Sequence, residues 1–108
     1  HDFYAGEVTD HLKELGFEAY AHACDTSDRE SVKKLAEYAA TLGEIKNVIN
    51  AAGISPAMGS AGDQEKILRI NAMGTVYVNQ EFSKLMKIVE CFYFTMHKIQ
   101  CTMKLAKK

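Results

Sequence analysis

The sequence predicts an α/β domain, a parallel sheet with helices packed along it. Three observations lead there. Residues 17–24 alternate with the two-residue period of a strand, and the short apolar run Val48-Ile49 leads straight into Asn50-Ala51-Ala52-Gly53. Helical patterns stand before, between and after these two stretches. Strand, helix, strand, helix with short connections implies right-handed crossovers, and ligands of such sheets bind outside the carboxyl ends of the strands.

Val8, Leu12 and Leu15 make one apolar stripe on a first helix, which Gly16 is placed to end. From Phe17 to Cys24, Phe17, Ala19, Ala21 and Ala23 share one face and Tyr20, His22 and Cys24 the other, so a strand is expected to end at Asp25. Ser27-Asp28-Arg29-Glu30 fits a capping box. The helix behind it carries Val32, Leu35, Ala36, Ala39 and Ala40 and stops at Gly43. Val48–Ala51 follows as a short buried parallel strand. A loop with Pro56, Gly59, Ser60 and Gly62 leads to a long helical pattern from Asp63, marked by Ile67, Ile70, Gly74, Tyr77, Val78, Phe82 and Leu85, with a break expected near residues 71–74. Residues 88–95 are rich in β formers and fit a third strand; residues 96–108 show no clear period and are expected to be mobile.

Length and composition narrow the function. A chain of 108 residues is one domain at most, and 47% hydrophobic with 25% charged residues is ordinary for a soluble globular protein. A net charge of -1 argues against nucleic-acid or membrane partners, and no apolar run is long enough to span a bilayer. Three cysteines without a Cys-x-x-Cys read as free thiols in a reducing cytosol, so a cytoplasmic location is expected. The four scattered histidines have no metal-ligand spacing. Charge is uneven: residues 1–83 hold 7 Lys/Arg and 13 Asp/Glu, whereas residues 84–108 hold 6 Lys and the single acid Glu90. The shift marks a boundary near residues 84–87 and sets residues 1–87 apart from a divergent basic tail, residues 88–108.

Asp25 and Asn50-Ala51-Ala52-Gly53 both fall at expected strand carboxyl ends. Gly53 lets the backbone approach a flat ligand without a Cβ clash, and Ala51 and Ala52 keep the crevice floor thin. Asp25 can accept a hydrogen bond from an exocyclic amine while a nearby main-chain N–H donates to a ring nitrogen. Structural roles compete at each place. Asp25 is also positioned to cap the next helix, Asn50 to tie neighbouring strands, and Asn71 to bend its helix through a side-chain-to-backbone bond.

On these residues the stretch 16–86 resembles the middle of a short-chain dehydrogenase/reductase, a family of NAD(P)-dependent oxidoreductases. The resemblance implies a partial Rossmann-like parallel sheet with flanking helices, three-layered but truncated. Cys24-Asp25-Thr26 resembles the segment whose aspartate approaches the adenine ring. Asn50-Ala51-Ala52-Gly53 resembles the family's Asn-Asn-Ala-Gly, with Ala at its second position. Asn71, in Arg69-Ile70-Asn71-Ala72-Met73-Gly74, matches the catalytic-tetrad asparagine that holds a proton-relay water. Asp25, Thr26, Asn50, Ala51, Ala52 and Gly53 are thereby implied as NAD or NADP contacts, and Asn71 as catalytic. The helix over residues 72–87 is implied as a dimer contact through Tyr77, Phe82 and Leu85, although packing on the sheet accounts for most of them.

The departures are as specific. The 108 residues hold no Thr-Gly-x-x-x-Gly-x-Gly turn to cradle a pyrophosphate. Asp2 stands near the place of the ribose-binding acid, without a fixed register. Where the family carries its serine strand, this chain reads Ile88-Val89-Glu90-Cys91. Four residues after Tyr4, Tyr20, Tyr38, Tyr77 and Tyr93 come Val8, Cys24, Leu42, Glu81 and His97, so no tyrosine has the lysine that would lower its pKa. The expectation is a central fragment, diverted after about Met86, of a protein that transfers hydride between a nicotinamide and a carbonyl or secondary alcohol, itself inactive and binding dinucleotide weakly. The alternative is a non-enzymatic dinucleotide-binding or dimerisation module derived from the same fold. A flavodoxin-like or receiver domain lacks its expected acidic or flavin-loop features here.

Overall fold

The computed structural model describes residues 2–55, 63–86, 92–96 and 99–103. Helix α1 spans Asp2–Glu14. It ends as the sequence predicts: Gly16 takes φ 91°, its N–H donates to Lys13 O at 3.0 Å, and the Phe17 N–H reaches back to Leu12 O at 3.0 Å. These two bonds cap the last carbonyls in a Schellman arrangement, and a left-handed residue is what they require. The stripe itself is only lightly used, with Leu12 half-buried and Val8 and Leu15 exposed.

The expected strand at residues 17–24 does not form a ladder among the described residues. Alternation alone makes no strand; a hydrogen-bonded neighbour does. The three described strands pair only with one another.

Helix α2, Arg29–Leu42, is capped one residue later than the capping box predicts. Asp28 is the N-cap, and its carboxylate accepts from the Glu30 N–H at 3.1 Å. Ser27 turns back to Asp25 instead. Strand β1 is Val48–Asn50. After it, α3 (Gln64–Leu68) starts on Asp63, whose carboxylate accepts from the Lys66 N–H at 2.9 Å. The expected break in this helix is a π turn over Arg69–Met73, from which α4 continues over Gly74–Ser83. Of the loop expected at residues 53–62, residues 56–62 lie outside the described residues.

Strand β2, Phe92–Met96, lies parallel to β1 with Val48 opposite Phe92 and Asn50 opposite Phe94. It overlaps the expected third strand, whose first part lies outside the described residues. Strand β3, Ile99–Met103, runs antiparallel to β2, with Met96 opposite Ile99 and Phe92 opposite Met103. The sequence predicts a mobile tail from Met96 because nothing periodic marks it; residues 99–103 instead form β3, whose order comes from pairing with β2.

The core is thin. Val32 and Ala36 of α2 meet Val78 and Phe82 of α4 and Met86 beyond it, with Cys24, Ile45, Val48 and Tyr77 partly buried around them. A side chain the size of Val or Phe fully buried is worth about 1.5–3 kcal/mol. Both helices serve one side of β1. Ile49, pointing the other way, is 71% exposed, so the strand is not buried on both faces as its apolar run suggests. Among the described residues no helix is long and apolar enough to cross a membrane.

Candidate dinucleotide crevice

Asn50, the last residue of β1, is buried, and its side-chain oxygen accepts from the Ala52 N–H at 3.2 Å. That bond turns the chain out of the sheet immediately after the strand. Ala52, Gly53 and Ile54 follow as half-buried residues, while Ala51 is exposed. The turn is then held from the other side. The Asn71 amide oxygen accepts from the Ile54 N–H at 2.9 Å, and its nitrogen donates to Ile54 O at 2.8 Å. One side chain thus satisfies both polar groups of one backbone residue. Asn71 is the central residue of the π turn, and its own carbonyl accepts from the Thr75 hydroxyl at 2.7 Å. Its amide does not bend its own helix, as one sequence reading proposed, but grips a different segment.

Three residues on, α4 begins with Gly74, and here the 25–28 turn arrives. A Cβ at Gly74 would stand 3.0 Å from Thr26 O and 3.2 Å from the Thr26 Cβ and Oγ1. Glycine eases this approach: a Cβ would need Thr26 to give by a few tenths of an ångström. Thr26, one of the expected cofactor contacts, is therefore a packing surface for α4.

Asp25 is occupied locally. Its Oδ1 accepts from the Ser27 hydroxyl at 2.6 Å and the Ser27 N–H at 2.9 Å. These bonds hold its carboxyl below the usual carboxylate range, the hydroxyl contributing most. The Asp25 N–H donates to Ser31 Oγ at 2.9 Å. Asp25 does not cap α2, which Asp28 does. It lines an open cleft of about 390 Å³ with Ser27, Asp63, Lys66, Arg69 and Ile70. Residues 50–53 do not line this cleft; the helical segment touches the chain beside each, Asn71 at Ile54 and Gly74 at Thr26.

A site the sequence reading missed braces that segment. Glu81 is 4% exposed, and its Oε2 receives the Lys84 Nζ at 2.9 Å and the Arg29 Nη2 and Nε at 3.2 and 3.3 Å. Lys84 is the largest cause holding the Glu81 carboxyl below its usual range; burial works against it, and Arg29 adds to the lowering. The Arg29 guanidinium also lies 6.0 Å from the Tyr77 ring centroid. The N-terminus of α2 is thereby fastened to α4. The signal was present: Gly74, Val78, Glu81 and Phe82 share one buried stripe, and an acid inside such a stripe needs a cation. Of the expected dimer contacts, Phe82 is in the core and Tyr77 packs against it, while Leu85 is exposed.

The model of the short chain dehydrogenase family matches residues 3–90. The chain belongs to the short-chain dehydrogenase family. Among relatives, it is 35% identical over 79 residues to the short-chain dehydrogenase/reductase bsc3 of Alternaria brassicicola, a match covering 73% of this chain and 28% of that protein. The citronellol catabolism dehydrogenase AtuB of Pseudomonas aeruginosa PAO1 superposes with a TM-score of 0.63 at 29% identity, over 75% of this chain and 35% of that one. A 7α-hydroxysteroid dehydrogenase, solved with NADH and 7-oxo glycochenodeoxycholic acid, shares the fold with a TM-score of 0.67 at 23% identity, over 79% of this chain and 35% of that one. The short-chain dehydrogenase segment seen here thus spans about a third of the length of these relatives.

Proposed function

We propose that this chain is the middle portion of an NAD(P)-dependent short-chain oxidoreductase, framing the adenine and nicotinamide sides of a dinucleotide crevice, and that on its own it does not turn over. The parent chemistry is hydride transfer between a nicotinamide and a carbonyl or secondary alcohol. The observation that carries this reading is the Asn71–Ile54 pair beside the Gly74–Thr26 contact. Two segments distant in sequence, both matching cofactor-binding stretches of the family, are gripped by residues three apart on one helical segment.

In this reading Asp25 accepts from the adenine amine through the cleft it shares with Ile70, and Thr26 shapes the turn. Asn50, Ala51, Ala52 and Gly53 form the crevice floor below the cofactor, and Asn71 stands beside the reacting end. NAD or NADP supplies the hydride. The chain's own residues position it, and none of its tyrosines has the lysine four residues on that would make it a proton donor.

The test is calorimetry with NADH and NADPH, with absorbance assays of carbonyl reduction alongside. Without a glycine-rich cradle for the pyrophosphate, the expected Kd is about millimolar or weaker. No turnover is expected. Micromolar binding, or turnover that survives Asn71→Ala and scales with protein, would overturn the proposal.

A further inference from the structure

Asp25 is fixed to the start of α2. Its carbonyl accepts from the Asp28 N–H at 3.1 Å, its N–H donates to Ser31 Oγ at 2.9 Å, and its carboxylate holds Ser27. The 25–28 turn therefore moves with α2 as one unit. Two points on α4 fix where that unit sits. One is Gly74, close against Thr26. The other is the buried Glu81, which receives the Arg29 Nη2 and Nε at 3.2 and 3.3 Å. Two turns of helix, about 10 Å along the axis, separate them. Contact at Gly74 alone would leave the unit free to swing about that point. Val32 and Ala36 pack on Val78 and Phe82 as well, but apolar contact has no direction, whereas a guanidinium aimed at a buried carboxylate does.

Such a swing would change the cleft of about 390 Å³, because its walls belong to different bodies. Asp25 and Ser27 stand on the α2 unit, and Lys66, Arg69 and Ile70 on the helical segment that runs on into α4. Arg29 and Glu81 do not line the cleft. Building on the dinucleotide reading, we propose that Arg29 is a positioning residue for adenine: through Glu81 it sets the Asp25 carboxylate at its distance from Ile70, and so fits the cleft to a purine that Arg29 itself never touches. Lys84 reaches the same carboxylate at 2.9 Å from three residues further along the chain. It bears on the burial of Glu81, not on where α2 sits. The two cations of one carboxylate thus have separable effects.

The experiment titrates the full chain with adenosine and follows the amide resonances by two-dimensional NMR. Adenosine carries no phosphate, so removing a cation at position 29 does not act on it through charge. In the parent, the Asp25 and Ile70 resonances are expected to move with adenosine. Arg29→Met keeps the bulk of the stem and removes the fork; it should weaken adenosine about fivefold. Lys84→Met should leave the affinity unchanged, although in urea it is the more destabilised of the two. The variants then rank in opposite order for binding and for stability, which a general loss of fold cannot produce. Circular dichroism confirms that both keep their helices. Adenosine that leaves the parent's Asp25 and Ile70 resonances unmoved would overturn the dinucleotide reading and this proposal with it. Equal affinity in the parent and Arg29→Met, or equal weakening in Arg29→Met and Lys84→Met, would overturn this proposal alone.

Discussion

The Asn71 side chain and the Ile54 backbone hold one another by two hydrogen bonds, of 2.9 and 2.8 Å, across seventeen positions of sequence. An amide is the one side-chain group that can donate and accept in this fixed pairing. Asn71→Ala leaves a partly buried N–H and C=O without partners, and the expected loss is about 2–3 kcal/mol. Asn71→Asp keeps the acceptor but sets a carboxylate against Ile54 O, and should cost at least as much. Urea unfolding of the three proteins measures this; an Asn71→Asp chain as stable as the parent would show that the donor bond carries nothing.

Gly74→Ala sets two effects against each other. Alanine favours a helix by about 1 kcal/mol over glycine. The new Cβ would meet the Thr26 carbonyl at 3.0 Å, and backbone does not yield as a side-chain tip does. Overpacking costs about 1–3 kcal/mol, so net destabilisation is expected. Adding Thr26→Ala removes Oγ1 but leaves the carbonyl, and should restore only part of the loss. Thermal melts of the single and double variants read the difference.

Glu81 makes part of the stability pH-dependent. Its folded-state pKa lies below the ordinary value of 4.5, so its contribution is fully present above that value and is lost as pH falls through the lower folded value. The stability gap between the parent and Glu81→Gln should be constant from pH 7 to about 5 and close as the pH drops further. Removing Arg29 alone leaves Lys84 to serve the carboxylate, so Arg29→Ala should cost less than Lys84→Ala. Denaturant titrations at several pH values check both statements. A gap that widens in acid would reverse the sign assigned here.

Among the described residues five apolar side chains are buried, with one face of β1 open at Ile49. A core of this size supports marginal stability only. A melt below about 60 °C, accompanied by association on heating, is expected from calorimetry with light scattering. A cooperative monomeric transition above that temperature would mean a fuller core than these residues supply.

The helices and β1 were legible from periodicity and caps, because those signals are local. Gly16 as a stop and the break near Asn71 are examples: one needs only a left-handed residue, the other only an interrupted stripe. The strand at residues 17–24 was misread because pairing is not written in the segment that pairs. The cap of α2 shifted from Ser27 to Asp28 because Ser27 had a competing partner in Asp25, a choice no spacing rule can make. Asn50 and Asn71 stand out in the sequence by residue type and position. That Asn71 reaches Ile54, and that Gly74 exists for Thr26, depends on how the π turn sets the helix against two loops. Glu81 was visible as an acid in an apolar stripe, but its partner Arg29 lies fifty-two positions away.

Strand β2 touches β1 only after the chain has travelled through α3, the π turn and α4, whereas it meets β3 across two residues. The entropy of closing the longer loop must be lost before that parallel pairing returns anything. The hairpin can therefore assemble within microseconds of its own accord, but its attachment waits on the α2–α4 pair to bring β1 into place. The parallel pairing therefore carries the larger entropic cost of the two, and the α2–α4 pair on which Val48 packs is what holds β1 in place for it.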